Sequence, residues 1–439
     1  MGRTIIRWLP CLFFASTLCI AAEPVVSTRS DQSVGVGQFT RDSLLRQFDE
    51  NRNGKLDAGE KQALRVAFGG RDVPMLPAKP YNYRHFTRPK HVAPSQLERA
   101  DNSPDDNPLT DHGATLGRVL FYDRQLSGNS SISCASCHQQ QAGFSDPDQF
   151  SVGFQGGRTK RNSMGLPNIR FTHLQGRRPG FFWDERAPTL EAQVLMPIQD
   201  KVEMGMELKD LEIKLGRLPY YPPLFTAAFG SPRVTSKRIS QAVAQFMRSM
   251  VSLDAKYDRS AVKAESLGDA TDFPGFTEQE NLGKRLFMEG VGGIAEFACA
   301  MCHIPPTFNM HKSSNIGLEL HYKDPGLGAL ERPSNATFTP SNDGKFRASS
   351  LRNVELTGPY MHDGRFKTLE QVVEHYSGQI HPHPNLGLAL EEPETEHATS
   401  GLQFTLQQKA ALVAFLKTLT DRRFVSDQRF VDPFIREEK

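Results

Sequence analysis

Cys134-Ala135-Ser136-Cys137-His138 is the stretch that most constrains what this chain can become. Two thiols at this spacing, followed at once by an imidazole, form the attachment signature of c-type haem. Each thiol can make one thioether to a single porphyrin, and the adjoining histidine is then placed beneath the ring as an iron ligand. The motif recurs as Cys299-Ala300-Met301-Cys302-His303. Leu116-Gly117-Arg118-Val119-Leu120-Phe121 precedes the first copy and Leu282-Gly283-Lys284-Arg285-Leu286-Phe287 the second. A shared lead-in reads as an internal duplication, two haem-c modules in one chain. The alternative is a pair of zinc knuckles or two disulfides, and both the adjoining histidine and the repeat argue against it.

The remaining cysteines fit this reading. Of six, Cys11 and Cys19 fall in residues 1–22, where Arg3 and Arg7 precede an apolar run and Ala21-Ala22 offers a small-residue cleavage site. That is the pattern of a secretory signal peptide, too short to span a bilayer comfortably. All four others lie in the two motifs, so no structural disulfide is expected even in an exported, periplasmic setting. Nothing later in the chain is long and apolar enough to read as an integral membrane segment. The formal net charge is only +2 over 439 residues. Such balance points to no nucleic acid and no strong membrane-surface attraction.

Residues 49–60 match an EF-hand loop. Asp49, Asn51 and Asn53 supply side-chain oxygens at loop positions one, three and five, and Gly54 allows the sharp turn at six. The Lys55 carbonyl serves at seven, Asp57 through water at nine, and Glu60 at twelve. Leu44, Leu45 and Phe48 before it, and Leu64 and Phe68 after it, sit at helical spacing. A metal-free polar turn is the alternative. Residues 69–107 are rich in Pro, Asn and Asp with no sustained period and read as an extended arm. Lone histidines there and just beyond, His85, His91 and His112, are expected at the surface.

Within residues 111–262, residues 189–195 have helical character broken by Pro197, and residues 239–257 read as one amphipathic helix with Ile239, Val243, Phe246 and Met250 on its stripe. Trp8 leaves with the signal peptide, so Trp183 is the mature chain's one tryptophan. It is either a core aromatic or an electron relay between two haems. Glu203 is either a solvated carboxylate or, beside haem, a group that moves protons during peroxide cleavage.

Leu126-Ser127-Gly128-Asn129, Arg161-Asn162-Ser163, Phe182-Trp183-Asp184, Glu203-Met204 and Leu351-Arg352-Asn353-Val354 through His362, together with the two haem motifs, resemble the bacterial di-haem cytochrome c peroxidase family, which includes the MauG-type protein-modifying enzymes. The resemblance covers about residues 110–425. It implies a peroxidatic first haem and a second haem that receives or stores electrons. By the same resemblance Trp183 falls at the bridging tryptophan and Glu203 at the distal acid–base glutamate. Gln193 and Pro197 match distal-pocket positions, Arg352 a haem-binding one, and Asn162, Thr357 and Pro359 the ligands of a calcium ion between the haems.

Three positions depart from the activated peroxidases. Where a loop histidine would cap the first iron at rest, sixteen residues after His138, this chain has Phe154. Phenylalanine has no lone pair to give, and nothing positions the later His173 to replace it. A smaller departure is Glu185, where the family has glycine after its Trp-Asp pair. In the second module, fourteen residues beyond His362, the family's usual methionine ligand is replaced by Tyr376. MauG-type members use tyrosine there, while a buried tyrosine bonded to backbone is the alternative. An anionic oxygen ligand favours ferric over ferrous iron and lowers the potential. Thr277 with Glu280, Thr368 with Gln371, and Thr405 with Gln408 predict capping-box helix starts.

The expectation is a mostly α-helical protein: signal peptide 1–22, EF-hand and Pro-rich arm 23–110, and two cytochrome-c-like haem domains at 111–262 and 263–439. Cys134, Cys137 and His138 would hold one covalent haem c, and Cys299, Cys302 and His303, with Tyr376, the other. Calcium would occupy the EF-hand and the inter-haem site. The resemblance implies a peroxidase that reduces hydrogen peroxide with electrons from a small cytochrome or cupredoxin. The alternatives are a MauG-like oxidase acting on a protein substrate and a non-catalytic di-haem electron carrier.

Overall fold

The computed structural model describes residues 35–172, 180–264, 271–293, 298–309, 313–330, 341–387, 390 and 401–436. The expected signal peptide and His173 lie outside them. The described residues are mostly helical, with one two-stranded antiparallel pairing of Val73–Pro74 with Phe434–Ile435.

The sequence duplication has a counterpart in packing. The helix Asp111–Tyr122, started by the Thr110 hydroxyl accepting from the Gly113 amide, lies against the helix Ser236–Arg248. The helix Glu278–Glu289, started by the Thr277/Glu280 capping box, lies against Leu406–Lys417, started by Thr405/Gln408. Each pair touches at the glycine of the shared lead-in. A Cβ on Gly117 would stand 2.0 Å from the Ala242 carbonyl oxygen, and one on Gly283 1.9 Å from that of Ala411. Only a residue without a side chain lets the two backbones approach this closely.

Two main hydrophobic clusters follow, and they exchange chain near the expected boundary. Tyr257 and Ala261 belong to the second cluster, while Phe424, Phe430, Phe434 and Ile435 return to the first. The returning end is fastened by Arg118 Nε donating to the Val431 carbonyl at 2.7 Å and the Tyr122 hydroxyl donating to that of Phe430 at 2.5 Å. The helices Arg41–Phe48 and Ala58–Ala67 pack on the first cluster through Leu44 and Leu64, and Phe39, in the turn ahead of them, joins the same cluster.

Three local expectations are revised. The helix at 239 stops at Arg248, because the following residues pair instead with Asn168, whose side chain bonds both the amide and the carbonyl of Ser252 at 2.9 and 3.0 Å. Pro197 sits inside the helix Leu190–Gln199 rather than breaking it. His91 is not a surface residue: its side chain is 7% exposed, packs edge-on against Tyr257 and reaches Asp258 at 3.4 Å.

Candidate active site

Both Cys-x-x-Cys-His stretches adopt one local geometry. Cys134–Cys137 forms a single helical turn and Cys299–Met301 a 3-10 turn, and the histidine amide closes back on the first cysteine's carbonyl in each, at 3.0 and 2.9 Å. His138 Nδ1 then donates to the Phe144 carbonyl at 3.0 Å, and His303 Nδ1 to the Phe308 carbonyl at 3.2 Å. Phe144 and Phe308 both have positive φ, 59° and 52°, which turns the chain back to present those carbonyls. A carbonyl held on Nδ1 fixes the tautomer and leaves Nε2 as a bare lone pair, the arrangement of a metal-ligating histidine. Burial lowers the pKa of both imidazoles, His303 to about 4, so both are neutral. None of the four described cysteines is in a disulfide, and burial pushes three of the thiols up, Cys134 and Cys299 to about 12 and Cys137 to about 11.

Around the second motif lies a cavity of about 660 Å³, within the range of small-molecule sites. Cys299, Cys302, His303 and Tyr376 line it together. So do Asn162, Trp183, Thr357, Pro359 and Arg352, which the structure thereby brings to one place. Two thiols outside any disulfide, an imidazole whose Nδ1 is held by a carbonyl and a mostly apolar wall are the donor set a covalently held porphyrin requires. The Tyr376 phenol is pushed up by burial, then by Cys302 and Cys299. Neighbouring His375 points elsewhere, its Nε2 at 2.8 Å from the Ile316 carbonyl.

Trp183 is fixed on both sides of its residue. Its indole N–H donates to the Asn162 carbonyl at 2.8 Å, and its own carbonyl accepts from the Arg347 amide at 2.8 Å. Glu185 has a φ of 57°, a left-handed conformation that explains why glycine suits this position. Its carboxylate accepts from the Ser313 hydroxyl at 2.6 Å and acts on the buried Arg347, whose pKa burial lowers to about 10. Arg352 pairs with Asp258 at 2.5 and 2.8 Å and also donates to the Pro306 carbonyl. Burial opposes the charge on Asp258, yet Arg352 and His91 hold its pKa at about 2. Losing one partner of so buried a pair costs about 3–5 kcal/mol.

On the first motif's side, Glu203 is half-buried and acts electrostatically on both Cys134 and Cys137. Burial, then the Asp200 carboxylate, raises its pKa to about 7. Asp200 also shapes its loop, accepting from the Val202 and Glu203 amides at 2.7 and 3.0 Å. Phe154 is strapped to the same loop: its amide donates to the Glu203 carbonyl at 2.9 Å. Its ring packs on Gly205 and Gly128, where a Cβ would come within 2.2 and 3.2 Å. Pro197 has no N–H to give the Gln193 carbonyl one helical turn earlier, so both expected distal positions fall at one local break in the Leu190–Gln199 hydrogen bonding.

In the loop 49–60, Gly54 has φ 81° and the side-chain oxygens turn inward onto loop amides. Asp49 accepts from Asn53 and Gly54 at 3.1 and 2.9 Å, and Glu60 from Glu50 and Asp57 at 2.8 and 2.9 Å. Among the described residues, no three His, Cys, Asp or Glu side chains gather as a metal cluster.

Sequence reasoning missed Arg347, the His91–Asp258 contact and the stacking of His362 on Phe346 at 3.6 Å. None of these carries a local pattern; each depends on segments far apart in the chain.

The family model described as di-haem cytochrome c peroxidase matches residues 111–266. The methylamine utilization protein MauG of Methylorubrum extorquens is 34% identical over 317 residues, covering 72% of this chain and 80% of that protein. The cytochrome c551 peroxidase of Nitrosomonas europaea is 31% identical over 309 residues, covering 70% and 79%. A crystal structure of a MauG-like protein associated with microbial copper homeostasis superposes with a TM-score of 0.63 at 31% identity, covering 80% of this chain and 99% of that one. With paired haem-attachment motifs, neutral histidines aimed by backbone carbonyls, and relatives matched over most of their length, the chain belongs to the di-haem cytochrome c peroxidase family, whose fold carries two haems.

Proposed function

We propose that this oxidoreductase, which acts on peroxide, does so at the haem held by Cys134, Cys137 and His138, and that Trp183 links that haem to a second one held by Cys299, Cys302 and His303. The observation that carries the reading is the placement of Phe154. Its ring is committed to Gly205 and Gly128 and has no lone pair to offer, which supports an uncapped first iron. When bound, the haem iron supplies the redox chemistry of O–O cleavage.

The chain's own residues supply the rest. Glu203 takes the proton from the attacking oxygen of hydrogen peroxide and returns it to the leaving oxygen, and a carboxylate poised near neutral pH suits both halves of that transfer. Gln193 and Pro197 shape the distal side. Asn162 carries the indole bond of Trp183 and, with Thr357 and Pro359, would hold a calcium ion between the haems. A second calcium would sit in the loop 49–60 on Asp49, Asn51, Asn53, the Lys55 carbonyl, Asp57 and Glu60.

The division we propose is signal peptide 1–22, EF-hand and arm 23–110, first haem domain 111–262 and second 263–439, with export to the periplasm. No described helix is long and apolar enough to cross a membrane. Electrons would come from a small cytochrome or cupredoxin.

A second reading, a MauG-like oxidase that modifies a partner protein, is favoured by Tyr376, which lines the same cavity as His303 where a methionine ligand would otherwise stand. A plain electron carrier is disfavoured by Phe154, since a carrier gains from two filled coordination spheres. The test is peroxide turnover by the all-ferric holoprotein with a reduced small cytochrome, run beside candidate partner proteins. One high-spin haem and immediate reaction are expected. Two low-spin haems at rest, with a lag abolished by prior reduction, would overturn the reading.

A further inference from the structure

Tyr220, Tyr221 and Asp123 form a buried cluster that the chemistry above does not use. Both phenols donate to one carboxylate oxygen, Asp123 Oδ2, at 2.8 and 2.7 Å. The two rings lie 4.7 Å apart, and all three residues are at most 4% exposed. The cluster belongs to the same hydrophobic core on which Cys134 packs, and the Cys134 sulfur acts electrostatically on Tyr221. On its other side the Tyr220 ring meets Phe39 at 6.0 Å and Phe434 at 6.1 Å, beneath the N-terminal helices.

We propose that the Tyr221–Tyr220 pair is a proton-coupled redox site that drains oxidising equivalents from the first haem. A buried phenol cannot lose an electron alone, because the cation left behind would be stranded in a low-dielectric core. It must shed its proton in the same event, to an acceptor already in place. Asp123 is such an acceptor, hydrogen-bonded and made more basic by its burial. Tyr83, Tyr122 and Tyr360 donate to backbone carbonyls, which cannot take a proton. The step balances: Tyr221 gives one electron to the haem oxidised by peroxide and its phenolic proton to Asp123 Oδ2. A neutral phenoxyl and a carboxylic acid remain. An electron from a donor returns the proton to the phenol. Tyr220, bonded to the same oxygen, shares the site and extends it toward the N-terminal helices.

The inference rests on the first haem reacting with peroxide, so the experiment reads both. The ferric holoprotein is mixed with one equivalent of hydrogen peroxide and followed optically and by freeze-quench electron paramagnetic resonance. A tyrosyl signal is expected, narrowed when the protein carries ring-deuterated tyrosine, and formed more slowly in D2O. The double variant Tyr220→Phe/Tyr221→Phe should lose at least nine-tenths of it while its haems still oxidise. Haem oxidation without a deuterium-sensitive radical in the wild type overturns this proposal alone, and that measurement needs no variant to fold. Survival of the full signal in a folded double variant overturns it as well. Failure of the haems to react at all overturns both readings.

Discussion

The Trp183 indole N–H donates to the carbonyl of Asn162 at 2.8 Å, and the two residues share the wall of the second motif's cavity. This bond fixes the ring at a junction of chain segments, since the Trp183 carbonyl also accepts from Arg347. A buried indole needs its N–H satisfied in either role, so the two roles part only on electron transfer. In Trp183→Phe most of the volume stays and the indole bond goes. Both haems should remain bound, while transfer of oxidising equivalents to the second slows by about tenfold or more, the equivalent of 1.4 kcal/mol on the barrier. Rapid-mixing spectroscopy with one equivalent of peroxide measures this. Oxidation of both haems at the wild-type rate would return Trp183 to the role of core aromatic.

Glu203 predicts a pH limb. To accept the first proton it must be ionised, and its pKa is raised to about 7 by burial and then by Asp200. The rate of reaction with peroxide should therefore rise as pH increases through about 7. Asp200→Asn retains an oxygen for the Val202 and Glu203 amides but removes the like charge, so the limb should move to lower pH. Glu203→Gln should lower the rate by about 10²–10⁴-fold above the limb and flatten the profile, the gap closing as pH falls. A profile that Asp200→Asn leaves in place would mean that another group titrates.

The paired glycines predict where stability resides. An added methyl at Gly283 meets the Ala411 carbonyl oxygen, which is backbone and has nowhere to go. Gly283→Ala should separate two helices of the second cluster and cost about 1–3 kcal/mol. Gly117→Ala should do the same to the first cluster through Ala242. Thermal unfolding followed at each haem's own absorbance would locate the damage. Equal loosening of both sites by either variant would contradict two separately packed helix pairs.

These glycines also mark what the sequence made legible. The haem motifs, their lead-ins and the capping boxes are short, local patterns, and each recurs in the structure with the geometry its spacing implies. What stayed hidden is non-local. Nothing in residues 85–95 announces that His91 reaches Asp258, and nothing in 422–436 tells that Phe424 and Phe430 return to the first cluster. The helix at 239 looked longer because Met250 continues its apolar stripe, but the Asn168 side chain claims Ser252's backbone groups. Glu185 looked like an unexplained departure, and its left-handed backbone and its bond to Ser313 became visible only in three dimensions.

The loop 49–60 predicts a metal. Its inward oxygens accept from backbone amides, with Glu60 taking those of both Glu50 and Asp57. Calcium should replace part of that bonding, and Glu60→Gln, which removes the charged bidentate ligand, should remove one calcium per chain. Because Leu44 and Leu64 anchor the flanking helices in the first cluster, both haems should stay bound. Hydrogen exchange of residues 40–68 should rise in the variant. Unchanged calcium stoichiometry in fully haem-loaded protein would rule the site out.

Tyr376 decides between the two readings of the second haem. Burial, Cys302 and Cys299 all push its phenol upward, so no phenolate persists there unless ferric iron takes the proton's place. Ligation then couples redox to protonation: reducing the iron weakens its hold on the anionic oxygen, and the phenol takes a proton back. Proton uptake on reduction means that the midpoint potential of this haem falls as pH rises, by about 59 mV per pH unit for one proton and one electron. Tyr376→Met substitutes a neutral ligand, so the potential should rise, within the roughly 0.8 V that axial ligands span, and its pH slope should flatten. Spectroelectrochemical titration at several pH values measures both. A variant with the wild-type potential and slope would show that Tyr376 does not touch the iron, and the oxidase reading would lose the residue that favours it.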